Sequence, residues 1–127
     1  FRKIEEYITR LGYSISYQSK EEGIFCIESE ADGIKNLIIG VAHPILIMEQ
    51  YIFTLKSDDK EILKSLLKKN RDIIHGAFVL DEEGKKVIFR YTMQIENLDM
   101  NEFEGALNSL GLLLGEYYEQ IIEFSKQ

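Results

Sequence analysis

The side chains of this 127-residue chain whose types suit chemistry are two histidines, one cysteine and several short acidic runs. His43 and His75 are the only groups that can serve as general bases near neutral pH. His43 precedes Pro44, and His75 precedes Gly76 at the mouth of a strand, so both read as turn residues. No serine, cysteine or carboxylate stands out as a triad partner. The chain also lacks a glycine-rich phosphate loop ending in lysine, a nucleophile elbow, paired histidines at helical spacing and a Cys-x-x-Cys pair. Cys26 alternates with Ile24, which places it on a strand as a small buried hydrophobe. No neighbouring cation is evident that would lower its pKa.

Glu28, Glu30, Asp32 and Gly33 imitate the first half of a calcium-binding loop, where oxygen ligands alternate before a glycine. The second half fails, because Ile39 stands where a bidentate glutamate should close the cage and the segment joins strands instead of helices. Glu28 to Gly33 therefore reads as a solvated turn, as does Asp81, Glu82 and Glu83. The expectation is a protein with no catalytic residue, no metal and no cofactor.

What remains is binding, and composition narrows the partner. Fifteen basic against 22 acidic side chains leave a formal charge of −7, which repels phosphate backbones and anionic lipid. The cluster of Lys64, Lys68, Lys69 and Arg71 complements the negative end of a helix dipole and lacks interleaved aromatics. Neither nucleic acid nor a membrane is expected. A single cysteine, no apolar run of bilayer length and no glycosylation acceptor pattern fit a cytoplasmic protein. With 45% hydrophobic residues and one proline, the length suits one domain spanning residues 1–127.

The elements that must carry a binding surface follow from periodicity. Phe1, Ile4, Ile8 and Leu11 form the apolar stripe of a short helix stopped at Gly12. Tyr13, Ile15 and Tyr17 then alternate with polar residues, which predicts a strand with one wet face. Gly23 to Glu30 and Leu37 to Val41 are the next two strands. His43-Pro44 breaks the chain direction before Ile45 to Leu55, a fourth strand or a continuation after a bend. In that run Ile45, Ile47, Tyr51 and Phe53 lie on one face, and Leu46, Met48 and Ile52 on the other, so both faces need cover.

Asp58 with Glu61 three residues on has cap spacing, and Ile62, Leu63, Leu66 and Leu67 give a second helix to about Asn70. Ala77 to Leu80 and Val87 to Met93 are strands joined through Gly84. From Asp99 or Asn101 to the end, Phe103, Leu107, Leu110, Leu114, Tyr117, Ile121 and Phe124 mark a long helix. A second stripe of Gly111, Gly115, Tyr118 and Ile122 lies about a third of a turn away. Gly111 and Gly115 have the spacing that lets helices approach closely, inside the domain or across a dimer seam. The fold class is α+β, an antiparallel sheet with helices packed on it, in the order α-β-β-β(-β)-α-β-β-α.

That order is shared by class I type III secretion chaperones and YbjN-like domains. Leu67-Lys68-Lys69-Asn70 leading into Gly76-Ala77-Phe78-Val79-Leu80-Asp81, then Gly84, Val87-Ile88-Phe89 and Glu96-Asn97-Leu98-Asp99, resembles the YbjN-like family, including Tir-chaperone-like proteins. The resemblance implies a secretion-chaperone-like fold, in which Asn70 ends a helix, Gly76 permits close backbone approach and Gly84 shapes a hairpin. It also implies dimeric binding of an extended segment of a client protein.

A homodimeric, non-enzymatic protein-binding module is thus the leading expectation, with Leu46, Met48, Ile52, Gly111, Gly115, Tyr118 and Ile122 at the partner or dimer interface. The competing expectation is a regulatory or sensory domain that holds a small apolar ligand between the sheet and the last helix.

Overall fold

A computed structural model describes residues 1–126. It contains α1 (Arg2–Arg10), β1 (Ser14–Ser19), β2 (Ile24–Ser29), β3 (Ile34–Ala42), β4 (Ile45–Thr54), α2 (Lys60–Asp72), β5 (Ala77–Leu80), β6 (Lys86–Gln94) and α3 (Met100–Ser125). The six strands form one antiparallel sheet in the order β1-β2-β3-β4-β6-β5. This is the α+β layout that the resemblance implied, and the strand after His43-Pro44 is a separate fourth strand that pairs with β3.

Local chemistry sets the helix ends. Asp99 caps α3 by accepting from the Glu102 N–H at 2.8 Å. The cap of α2 is Asp59, one residue beyond the expected Asp58, because its carboxylate is the one placed to accept from Glu61 and Ile62. Gly12 sits at φ +81° just past α1, a conformation that other residues rarely adopt.

All three helices lie on one face of the sheet. Phe1, before α1, stacks on Phe25 of β2 at 4.4 Å, while Phe124 and Tyr117 of α3 meet Phe53 of β4 and Phe78 of β5 at 6.0 and 6.2 Å. The inter-strand register puts Phe25, Phe53 and Phe78 on the same side. The helices are tied to one another by Tyr7 against Phe103 and by the Lys69 amine over the Tyr117 ring. Burial lowers the Lys69 pKa.

The core between helices and sheet holds Ile4, Ile8, Phe25, Leu46, Phe103 and Leu107, each with no solvent exposure. Burying such a side chain contributes about 1.5–3 kcal/mol. Gln50 is the buried polar side chain among them. Its amide donates to the Lys35 and Tyr51 carbonyls at 2.8 and 3.0 Å, while its Oε1 has no partner. It thereby satisfies a carbonyl of β3 next to Asn36, whose left-handed φ of 54° interrupts that strand's ladder.

Two bulges break the period-two patterns read from sequence. One lies between Ile15 and Tyr17 in β1, so Tyr13, Ile15 and Tyr17 do not share a dry face, and Tyr17 is exposed. The other lies between Tyr51 and Phe53 in β4, and it turns Phe53 into the core away from Ile45, Ile47 and Tyr51. No helix of the described residues is long and apolar enough to cross a membrane.

Candidate partner-binding surfaces

Because the helices occupy one face, the other face of the sheet is bare. Ile38, Ile45 and Tyr51 are 45%, 41% and 50% exposed there, with Ile47, Val79 and Ile88 half-buried between them. At its middle the Glu49 carboxylate and the Arg90 guanidinium, directly opposite on β4 and β6, are 3.9 Å apart. Cys26 faces the same side and is half-buried, not the core residue expected, because Phe25 and Ile27 take the inward positions of β2.

This arrangement corrects two of the expected interface residues. Leu46 is fully buried and Met48 nearly so, both under the helices, which leaves neither open to a partner. Period two says that one face of β4 is inward, and α3 supplies the cover for the Leu46 side. Ile52 sits in the β4 bulge, half-buried. The outward apolar positions of β4 are Ile45, Ile47 and Tyr51.

The expected residues on α3 lie on its outer side. Gly111, Gly115 and Tyr118 line an open hollow of about 860 Å³ against the turn Glu30–Gly33. Asp32 comes within 3.5 Å of where a Gly111 side chain would begin, whereas nothing lies within 4 Å of the same point on Gly115. Tyr118 is 63% exposed, and Ile122 is also exposed further along the helix. Leu112, which the sequence did not single out, projects from the same region at 76% exposure. Its place two residues from both Leu110 and Leu114 of the main stripe, and so on the opposite side of the helix, was the available signal.

A second hollow of about 770 Å³ adjoins the first, sharing Glu30, Ala31 and Gly33 and running back past Glu28 and Ser29 to Gly12 and Ser14. Together the two make a track from the start of β1 over the β2–β3 turn to α3. Carboxylates of Glu28, Glu30 and Asp32 lie along it. Asp32 also accepts from Ser29 at 3.2 Å and from Tyr13 at 3.4 Å. Burial, and next the Asp32 charge, push the Tyr13 hydroxyl from 10.0 up to about 12.

The two edges of the sheet differ. On β5 the Asn70 side chain receives the Phe78 N–H at 2.8 Å and donates to the Phe78 carbonyl at 3.1 Å, taking the place of a neighbouring strand. Asn70 therefore closes this edge instead of ending α2, which continues to Asp72. Beside it Leu63, Leu66, Leu67 and Phe78 line an apolar groove of about 340 Å³. The outer edge of β1 has no such guard among the described residues.

Between sheet and α3, where a small ligand was the competing expectation, Leu37, Met48, Phe89, Ala106 and Leu110 enclose only about 10 Å³. That is scarcely the space of one water, so the core is packed. His75 stands at its rim with its ring 5.6 Å from Tyr91, and His43 is exposed in the β3–β4 turn.

The model of the CesT_Tir_1 family matches residues 1–127. The chain belongs to that family. Among solved structures it is similar to YbjN from E. coli, a putative transcription regulator, at 10% identity and TM-score 0.71 over 92% of this chain and 89% of that one. It is also similar to a chain of the HopA1–SchA chaperone–effector complex, at 12% identity and TM-score 0.64 over 99% and 92%. A chain of the ExsC–ExsE complex matches at 21% identity and TM-score 0.68 over 94% and 90%. No curated protein matches the chain by sequence. The YbjN-like and secretion-chaperone-like resemblance read from the segments between Leu67 and Asp99 thus holds at the level of family and fold.

Proposed function

We propose that this family member is a non-catalytic, chaperone-like module of the cytoplasm, a single domain that works as a homodimer and binds an extended segment of a client protein. The observation that carries the client-binding reading is the continuous track of two hollows, about 770 and 860 Å³, from Ser14 to Tyr118. It starts at Ser14, the first residue of β1, which is the unguarded edge strand of the sheet. A client strand adds its backbone hydrogen bonds to such an edge while its side chains fill the adjoining hollows. Support also comes from the similar fold in the HopA1–SchA chaperone–effector complex and in the ExsC–ExsE complex.

The carboxylates of Glu28, Glu30 and Asp32 along the track outnumber the one lysine that lines it, Lys35, and so favour a client segment that carries Lys or Arg. Gly111, Gly115, Tyr118 and Ile122 belong to the client surface in this reading, since the open space over Gly115 leaves room for a foreign side chain.

The test is capture of a partner from native lysate by wild type and by Gly115→Leu, identified by mass spectrometry. Hydrogen exchange on the captured complex then locates the contact. A partner held by wild type, released by Gly115→Leu and protecting β1 amides supports the reading. Equal capture by both proteins, or protection confined to other strands, overturns it.

A further inference from the structure

The groove between α2 and β5 takes no part in the client track, and its floor and its rim differ in chemistry. We propose that it binds a small anionic amphiphile, a single-chain carboxylate of the fatty-acid type, whose alkyl chain lies in the groove and whose carboxylate meets a row of cations on α2.

The floor and lips are apolar. Leu66 and Phe78 lie at the bottom, each 6% exposed, while Leu67 and Leu80 stand at the lips, 70% and 43% exposed. Asn70 ties α2 to Phe78, and beyond that tie Leu80 stays uncovered. The volume of about 340 Å³ falls at the small end of the range of small-molecule sites, about 300–1,000 Å³. Larger occupants fit less well. An added strand finds the Phe78 N–H and carbonyl already taken by Asn70. A docked helix is read through anchors up to i+7, about 10 Å apart, whereas Leu63 to Leu67 spans about 6 Å of α2.

The rim is cationic, against the sign of the chain. The 13 residues of α2 hold five basic side chains and two acidic ones, in a protein whose net charge is −7. Their placement is sorted. At about 100° per residue, Lys60, Lys64 and Arg71 fall within about 60° of Leu67, while Glu61 and Asp72 lie at least about 120° from it, on the far side of the helix. Lys60, Lys64 and Arg71 are exposed, and among the described residues none of them pairs with a carboxylate. Lys69 is committed elsewhere, to the Ser65 hydroxyl and the Tyr117 ring.

The opposite rim is the β5–β6 turn, where Asp81, Glu82 and Glu83 stand against Lys85 and Lys86. The Asp81 carboxylate accepts from the Lys85 and Lys86 N–H groups at 2.9 and 3.1 Å. A headgroup of negative charge therefore belongs on the α2 side, where the long stems of Lys and Arg let their charged ends reach past Leu67. A second copy of the chain would set these same cations against themselves. The acidic client track excludes the ligand by its charge, so the two sites are separate.

The experiment titrates the full chain with decanoate below its micelle-forming range, by calorimetry and by amide NMR. One decanoate should bind per chain and shift amides of α2 and β5. Octanoate should bind about 10-fold more weakly, since each methylene is worth about 3-fold to 4-fold. Decyltrimethylammonium, with the same chain and the opposite charge, should bind at least about 10-fold more weakly than decanoate. Leu67→Glu, at an exposed position, should abolish binding. The double variant Lys64→Gln with Arg71→Gln should reduce decanoate to the level of decanol and covers the case in which Leu67→Glu fails to fold.

No saturable decanoate binding, shifts confined to other elements, or an affinity indifferent to these substitutions and to headgroup charge overturns the proposal. Three other occupants are scored in the same series. An acidic helical peptide that binds at Leu67 where decanoate does not, anionic vesicles whose binding decanoate cannot displace, or a dimer mass that Leu67→Glu lowers with no decanoate signal would each overturn it. None of these results bears on client capture, which is scored on Gly115→Leu in the track.

Discussion

Replacing Asn70 by alanine removes two hydrogen bonds to Phe78, at 2.8 and 3.1 Å, and bares the edge of β5. Each such bond is worth about 0.5–1.5 kcal/mol net, and the N–H and carbonyl left behind belong to a residue whose surface is only 6% exposed. The expected loss is about 2 kcal/mol. For a chain of this length that lowers the melting temperature by about 7 °C. Urea and thermal unfolding followed by far-ultraviolet circular dichroism measure it directly. Asn70→Asp sharpens the test: it keeps an acceptor for the Phe78 N–H but sets a carboxylate against the Phe78 carbonyl oxygen. Protonation turns that carboxylate into a donor, so the Asp variant should recover stability as pH falls through its carboxyl pKa, while the Ala variant should not. A loss below about 0.5 kcal/mol for Asn70→Ala would refute the claim that this amide stands in for a missing strand. Both variants should also aggregate more readily, since an unguarded strand edge is a template for pairing.

Gly76→Ala should cost more than 2 kcal/mol, roughly, because the backbone sits at φ +90° and a methyl group there would lie 2.6 Å from the Phe89 ring and 2.9 Å from the Arg90 carbonyl; urea unfolding reads the loss. Gly115→Leu should do the reverse to the fold, raising stability by up to about 1 kcal/mol through helix propensity while abolishing client capture, so thermal melts and pull-downs should move in opposite senses. Tyr13 is held neutral to about 12 when folded and ionises near 10 when unfolded, so stability should be intact below pH 10 and fall between pH 10 and 12 as only the unfolded state gives up its proton. Tyr13→Phe should flatten that part of the pH–stability curve, and an ultraviolet phenolate titration should lose its latest step.

The element order and most boundaries were legible because each rests on near neighbours. Apolar residues every three or four positions wrote α2 and α3, turn glycines at positions 12 and 84 wrote the breaks, and Ala77 to Leu80 matched β5 to the residue. Where a side chain competes with a neighbour of the same type, sequence was less sharp, as with Asp58 and Asp59 at the α2 cap. The family resemblance was carried by residues of this local kind, which is why it foretold the fold well.

The candidate surfaces divide in the same way. Gly111, Gly115, Tyr118 and Ile122 emerged from helical spacing, and they do share the outer side of α3. The role of Asn70 could not, since its partner Phe78 is eight residues away across a loop.

By itself the sequence determined which segments are helices and strands, that β4 is apolar on both faces, and that the chain is acidic. Only the tertiary structure decided which face of β4 turns inward, and it chose Leu46 and Met48 over Ile45 and Ile47. The reason is that alternation defines two faces without ranking them. Rank comes from where α3 packs and from a bulge at Tyr51 that moves Phe53 across the sheet, and both are set by contacts distant in the chain.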